Sequence, residues 1–326
     1  MVRMVQALRH ETSYVTGTWI KKGSLMHSLI DVCGKQIQVQ GRLIQVGRLD
    51  ADKYLFLDDP EAMLEALRRS AARIDLFTFI EKLPGTAPKY AYPMEWDNFA
   101  ALPVSTFEHW WEHQIGFKAR NKAKQAEKKR VIVREGAFDD ALVKGIWEVY
   151  NESPVRQGKP NEHYGKDLET VRKEEATYLE HSIFIGAYFE EKLIGFVKLV
   201  ADETRTQAGL MNIVSMVQHR DKAPTNALVA HAVRACADRR ISYLVYSNFT
   251  YGRKGRDSLS DFKERNGFQR MSVPRYYVPL TRIGVLALRL GLHRRLADHV
   301  PEPIVAKVRE LRRAWYNRRL QSATQG

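Results

Sequence analysis

Between Ile183 and Ala201, two runs of β-forming residues are separated only by Glu190-Glu191-Lys192, a compact polar turn. That pattern predicts a β-hairpin, Ile183–Phe189 against Leu193–Ala201, and it constrains its surroundings because a hairpin with two apolar arms must be covered. A third strand is expected at Ala208–Met216. Pro224 then opens a helix to Arg239, with Ala227, Leu228, His231, Ala232 and Ala235 at spacings of three and four. Ile241–Ser247 reads as a strand, Leu259–Asn266 as a helix and Gly267–Val278 as the last strand. Upstream, Phe138–Tyr150 is an amphipathic helix with Leu142, Ile146, Val149 and Tyr150 inward. A polar loop over 151–166 and a helix to about Leu179 come after it. The resulting order is helix, helix, three antiparallel strands, helix, strand, helix, strand.

The earlier part of the chain is shorter but similar in kind. Residues 31–57 are β-rich, with a hairpin expected around Gly41 and a short strand at Tyr54–Leu57. Asp58 or Asp59 caps a helix that Pro60 opens, with Met63, Leu64, Leu67 and Ala71 on its buried side. Ile74–Ile80 reads as a strand, and the proline-rich residues 84–104 as a crossing loop. Residues 106–130 carry no proline and are dense in Ala, Lys, Gln and Glu, which predicts helix, and Val131–Arg134 reads as a short strand. At 326 residues the chain suits two packed α/β units rather than one. The expected division is an extension over 1–29, a first half over 30–105, a second half over 106–280 and a tail over 281–326.

The net charge of +14 is concentrated in two places. Phe117–Arg134 holds eight Lys/Arg and one acid, and Thr281–Gly326 holds ten and three, so each contributes +7 and the rest is neutral. Such patches point to an anionic partner or to a solvated face. Two cysteines, Cys33 and Cys236, cannot build a disulfide framework, which suggests a reducing compartment. Neither a secretory signal nor a run of about 18 apolar residues is present, so a cytoplasmic protein, at most peripheral to a membrane, is expected. There is no P-loop, GxSxG, CxxC or dinucleotide fingerprint. His109 and His113 are four apart but lack an HExxH setting or a third ligand, so no metal is expected.

The element order resembles the GNAT acyltransferase core, and several stretches resemble its FemAB-like, or Fem-type, branch. They are KARNKAKQAEKKRVIVREG (118–136), IFIGAYFEEKLIGFVKLV (183–200), APTNALVAHAVRACADRRISYLVYSNF (223–249) and SLSDFKERNGFQ (258–269). The resemblance implies an α/β (α+β) fold of two tandem GNAT-like domains with mixed sheets flanked by helices, the first half being degenerate. It implies transfer of an acyl or aminoacyl group to an amine or hydroxyl of an envelope glycan or peptidoglycan-type precursor. The donor would be acyl-coenzyme A or aminoacyl-tRNA. In the GNAT pattern a Q/R-x-x-G-x-G/A loop approaches the donor's diphosphate at a helix N-terminus. Here that stretch is Arg220-Asp221-Lys222-Ala223-Pro224-Thr225, with neither glycine. Arg220, Lys222, Thr225 and Asn226 remain as donor contacts, and the loss weakens the case for coenzyme A. The resemblance also implies that Lys263, in Phe262-Lys263-Glu264-Arg265-Asn266-Gly267-Phe268, stabilises the transferring carbonyl. Tyr251, Arg253 and Lys254, in a loop beyond a strand end, together with His163 and Tyr164, are candidates for the acceptor side.

The tail carries a separate signal. Residues 281–297 are amphipathic and too rich in arginine to span a bilayer, and a further helix is expected after Pro301 and Pro303. Ile304, Val308, Leu311 and Trp315 would share one of its sides. Both fit a helix lying on an anionic membrane, docking on the protein's own surface, or RNA binding. Two other functional readings stand beside the transferase. One is a GNAT-like fold that has lost donor binding, supported by the missing glycines, and the other is a basic RNA- or membrane-binding module.

Overall fold

The computed structural model describes residues 18–22, 25–156, 159–250 and 257–294. The first half begins with three antiparallel strands, β1 (Thr18–Lys22), β2 (Leu25–Val32) and β3 (Lys35–Gln40), joined by β4 (Val46–Leu49). Helix α1 (Pro60–Arg69) comes next, with Asp59 as N-cap accepting from the Ala62 N–H, as the Asp-Asp-Pro sequence requires. Its Met63, Leu64 and Leu67 cover Phe77 and Phe79 of β5 (Leu76–Ile80). β5 lies parallel to β4.

The next element departs from expectation. Residues 84–104 are not only a crossing loop, because Met94–Pro103 forms β6, a strand at the centre of the molecule. Phe99, Ala100, Ala101 and Leu102 are wholly buried. Their partners lie far along the chain, so local pattern carries no sign of the pairing, and Pro93 and Pro103 merely bracket it. Tyr54–Leu57, expected as a strand, is irregular.

The basic helix is broken. Phe107–His109 is a single turn, α2, continued by a π-turn over Trp110–Gln114. The chain extends through Ile115 and restarts as α3 (Phe117–Lys128). The break seats α3 on a neighbouring segment, since the Gly116 N–H donates to the Arg265 carbonyl at 2.8 Å. Buried Trp110 donates from Nε1 to the Asn266 carbonyl at 3.0 Å. Ala119, Ala123 and Ala126 form the buried seam, which leaves the lysines outside.

The second half adopts the predicted order. β7 (Ile132–Gly136) and α4 (Asp140–Asn151) lead to the short ladder of β8 (Val155–Arg156) and β9 (Lys159–Pro160) and to α5 (Leu168–Glu175). Then come β10 (Ser182–Phe189), β11 (Lys192–Ala201), β12 (Gln207–Ser215), α6 (Pro224–Asp238) and β13 (Tyr243–Val245). The last elements are α7 (Ser258–Arg265), β14 (Gln269–Pro279) and α8 (Arg282–Arg289). β10, β11 and β12 are antiparallel, and β13 is parallel to β12, matching β5 beside β4.

Strand order unites the halves. Among the described residues one sheet of 12 strands runs β1-β2-β3-β4-β5-β14-β6-β13-β12-β11-β10-β7. Each half's last strand has crossed to the other, β6 pairing with β13 and β14 pairing with β5, while β6 and β14 pair at the midline. The exchange is a pseudo-two-fold arrangement of two GNAT-like units, with a mixed sheet flanked by helices, as the α/β reading expected.

Candidate active site

β12 and β13 stay paired only over Gln207–Tyr243, Ala208–Leu244 and Gly209–Val245. Beyond that point the chain after β13 runs along β6 instead: the Tyr246 N–H donates to the Ala100 carbonyl, and the Ala100 N–H to that of Ser247. Among the described residues β12 therefore runs on with no strand on this side, and Met211–Ser215 are only half-buried where the preceding residues are fully buried. The result is a gap with two walls. Tyr54 of the first half lies at its narrow end, since a Cβ on Gly209 would sit 2.3 Å from the Tyr54 ring.

One wall carries Lys263. Asp257 and Ser260 form a reciprocal cap that starts α7. The third residue beyond Ser260, Lys263, faces inward and is completely buried. Its Nζ donates to the Asn248 carbonyl at 2.5 Å and lies 4.7 Å from the Tyr246 ring centre. Burial pushes this ammonium down to about 8, with Asp257 opposing the shift and Lys53 adding to it. Lys53 comes from the first half and donates to Asn248 Oδ1 at 2.5 Å and to Ser247 Oγ at 3.2 Å. Asn248 Nδ2 in turn donates to Asp97 Oδ1 at 2.7 Å. Arg275 completes the network, with Nε on Asp97 at 3.0 Å and a terminal nitrogen on Asp52 at 2.9 Å. Lys263 thus sits at the junction of the halves.

The other wall, β12, leads into the loop over 216–223, where the resemblance led to an expectation of donor contacts. Ala223, at the first glycine position of the GNAT pattern, has φ 52° and ψ 43°. The left-handed turn that glycine would adopt freely is kept with alanine in it. Yet the loop is poor in donors for phosphate. Pro224 has no N–H, and the Glu152 carboxylate accepts from the N–H groups of Val217 (3.1 Å) and Gln218 (2.9 Å). Thr225 Oγ1 lies 2.7 Å from Ser215 Oγ. Asp221 pairs with Lys129 of the α3 segment at 2.8 Å and with Lys222 at 3.6 Å. Lys222 also lies over the Phe189 ring at 4.5 Å. Arg220 is exposed and Asn226 half-buried in the first turn of α6.

His163 stacks on the Tyr150 ring at 4.0 Å, and burial, then Lys166, lowers its pKa. Tyr164 is exposed. Tyr251, Arg253 and Lys254 lie outside the described residues.

A second buried cluster was not singled out in the sequence. Glu175 accepts from the Tyr150 hydroxyl at 2.7 Å and from Asn212 of β12 at 2.9 Å, and burial raises its pKa. Lys198, brought by burial to about 8, donates to the carbonyls of Glu175 and Thr177, both at 2.7 Å. Lys198 closes the C-terminal end of α5, a favourable place for a cation. A lysine within an apolar strand was the available clue, though nothing local says what it reaches.

Comparison with known structures places this architecture. FemX aligns with a TM-score of 0.53 at 9% identity, covering 80% of this chain and 87% of that one. The fold is Fem-type. L-PGS from Bacillus licheniformis aligns with a TM-score of 0.51 at 12% identity, covering 82% and 90% of the two chains. The C-terminal domain (DUF2156) of a protein described as a lysylphosphatidylglycerol synthetase, from Agrobacterium fabrum, gives 0.52 at 11%, covering 81% and 87%. No family model matches the sequence, and no curated protein matches it by sequence. At these identities the likeness is one of fold, the FemAB/GNAT-like fold expected from the sequence.

Proposed function

We propose that this Fem-type chain is an acyl- or aminoacyltransferase acting on an amine or hydroxyl of an envelope glycan or peptidoglycan-type precursor. Lys263 would be its carbonyl-stabilising group. The observation that carries the reading is the Lys263 ammonium, buried at the junction of the halves and aimed at a carbonyl oxygen, that of Asn248. The acyl oxygen of a donor would take the same kind of contact. Attack by the acceptor forms the new C–N or C–O bond, puts negative charge on that oxygen and then breaks the bond to the carrier. A preorganised ammonium in a water-poor site stabilises that charge. The acceptor's proton leaves through solvent or the leaving group.

The loop chemistry supports aminoacyl-tRNA over acyl-coenzyme A as donor. Pro224, Glu152 and Asp221 together leave a poor cradle for a diphosphate, whereas the exposed cations of α3 adjoin the loop through the Lys129–Asp221 pair. Arg220, Lys222, Thr225 and Asn226 would then meet the carrier's terminal nucleotides. His163, Tyr164 and the 251–256 loop, with Tyr251, Arg253 and Lys254, would serve the acceptor. The test is transfer from a charged tRNA pool, or from acetyl-coenzyme A, to a nucleotide-linked muropeptide, read by mass spectrometry. Lys263→Ala should lose about 10²–10³ in turnover with unchanged folding. Full turnover in that variant would overturn the assignment.

A second reading is an inactive GNAT-like fold serving as a membrane- or nucleic-acid-associated binding protein. Tyr54 at the narrow end of the gap and the closed surroundings of Lys263 favour it. No transfer with any donor, alongside retained tRNA or membrane binding, would select it.

A further inference from the structure

Helix α8 packs in an unusual way. Its buried side consists of Gly284 and Ala287, two of the smallest residues available. A Cβ at position 284 would lie 1.8 Å from the Asp75 carbonyl, so the helix rests backbone against backbone on the start of β5. Thr281 fixes its beginning, accepting from the Gly284 N–H at 3.1 Å and donating to Asp75 at 2.8 Å. The end is fixed as well. Arg294 donates to Glu95 at 2.7 Å, His293 Nε2 is 3.1 Å from the same carboxylate, and the His293 ring lies 4.7 Å from that of Tyr277. Held at both ends, α8 cannot turn its large side chains inward.

Those side chains face solvent. Ile283, Leu286 and Leu290 are 45%, 57% and 61% exposed and stand three and four residues apart, which makes one ridge. Val285 and Leu292 are exposed as well. Arg282 and Arg289 flank the ridge, both exposed, and there is no acidic residue from Thr281 to Arg294. A contiguous apolar surface of this kind normally has a partner.

We propose that α8 is a docking helix for an anionic lipid bilayer. Ile283, Leu286 and Leu290 would enter the acyl boundary, and Arg282 and Arg289 would meet the lipid phosphates. Charge selects this occupant. Residues 295–326 of the same chain carry seven Lys/Arg and three acids, so they share the sign of the face rather than complementing it. In a symmetric pair of chains the same arginines would oppose one another. Apolar side chains beside arginine match what an interfacial helix presents to anionic lipid. The inference goes beyond the transferase reading and does not depend on it. It does place a lipid surface near the candidate site. Glu95 and Asp97 are two apart on β6, so they leave one face of the sheet about 7 Å apart. Glu95 holds the end of α8, and Asp97 holds Asn248, whose carbonyl takes Lys263.

The experiment uses the full chain with vesicles of phosphatidylcholine alone or mixed with phosphatidylglycerol, read by co-sedimentation. Retention is expected on the mixed vesicles and should weaken at high salt, because exposed charges are screened beyond ~10 Å at 0.1 M. Leu286→Gln with Leu290→Gln should reduce it roughly tenfold or more, through the lost apolar insertion. Arg282→Gln with Arg289→Gln should reduce it less and remove the salt dependence. All four side chains are exposed, so thermal unfolding should not change. Equal retention of the leucine variant would overturn the proposal by placing binding elsewhere in the chain. Absent vesicle binding would also overturn it, and self-association abolished by the leucine variant would then assign the ridge to a second copy.

Discussion

The two halves share a topology and differ in the connection that leaves the fourth strand. In the first half the connection from β4 to α1 holds Asp50, Asp52, Asp58 and Asp59, and Asp59 closes the helix start with its own side chain. In the second half the connection from β12 to α6 holds Arg220, Asp221 and Lys222, and α6 begins at left-handed Ala223 with no side-chain cap. A helix N-terminus favours negative charge. The first half meets it with the Asp59 carboxylate, whereas no side chain caps α6 in the second. The first half also sends Lys53, Tyr54 and Asp52 across the junction.

The largest effect expected from breaking that arrangement is at the junction itself. Arg275→Met would leave Asp52 and Asp97 facing each other without their cation and should cost about 3–5 kcal/mol, read by denaturant unfolding. A loss below about 1 kcal/mol would mean that the halves are held by packing alone. Lys263 then tests which half carries chemistry. Its ammonium sits at about 8 against 10.5 in a free lysine, so between those values the unfolded chain holds the extra proton. Stability from this group therefore rises with pH through that window. Activity should instead fall as pH passes 8, when the charge is lost. Lys198 shifts in the same direction, so only the activity profile, compared with Lys263→Ala, isolates Lys263.

The helix starts give a smaller, matched pair of effects in thermal unfolding. Asp59→Ala should lose about 1 kcal/mol with its cap. Ala223→Gly should gain roughly 1 kcal/mol by relieving the left-handed alanine. A destabilising Ala223→Gly would show that the alanine methyl is needed for packing there. The smallest change is expected from Lys222→Ala, which should mainly raise the apparent donor constant, because it removes binding shared by ground and transition states.

Much of the second half was legible because its signals are local. The turn at Glu190–Lys192, Pro224 at a helix start and the three-and-four spacing of Ala227, Leu228, His231 and Ala232 each depend on neighbours within a few residues. The same holds for Asp59-Pro60 in the first half. β6 was hidden because Glu95, Asp97 and Asn98 interrupt its apolar run and its partners Val245 and Arg275 belong to distant segments. Lys263 could be singled out from its surroundings in sequence, but Lys53 and Asn248 could not, since what joins them is contact across the fold: Lys263 donates to the Asn248 backbone carbonyl and Lys53 to its side-chain oxygen. Tyr150 was expected to face inward, but its meeting with Glu175, and that of Glu175 with Asn212, was missed for the same reason.

The sequence by itself determined the order of elements in the second half, the uneven charge and the absence of glycine from residues 220–225. Each arises from propensity, periodicity or composition, which act over one or two turns of chain. The tertiary structure alone decided that the last strands exchange, that Ala223 keeps a glycine-like turn and that Lys263 is enclosed beside Lys53. It also decided that α8 lies on its smallest residues with its leucines outward. An amphipathic pattern tells which residues share a side, but only packing against Asp75 and Glu95 settles which side the protein covers.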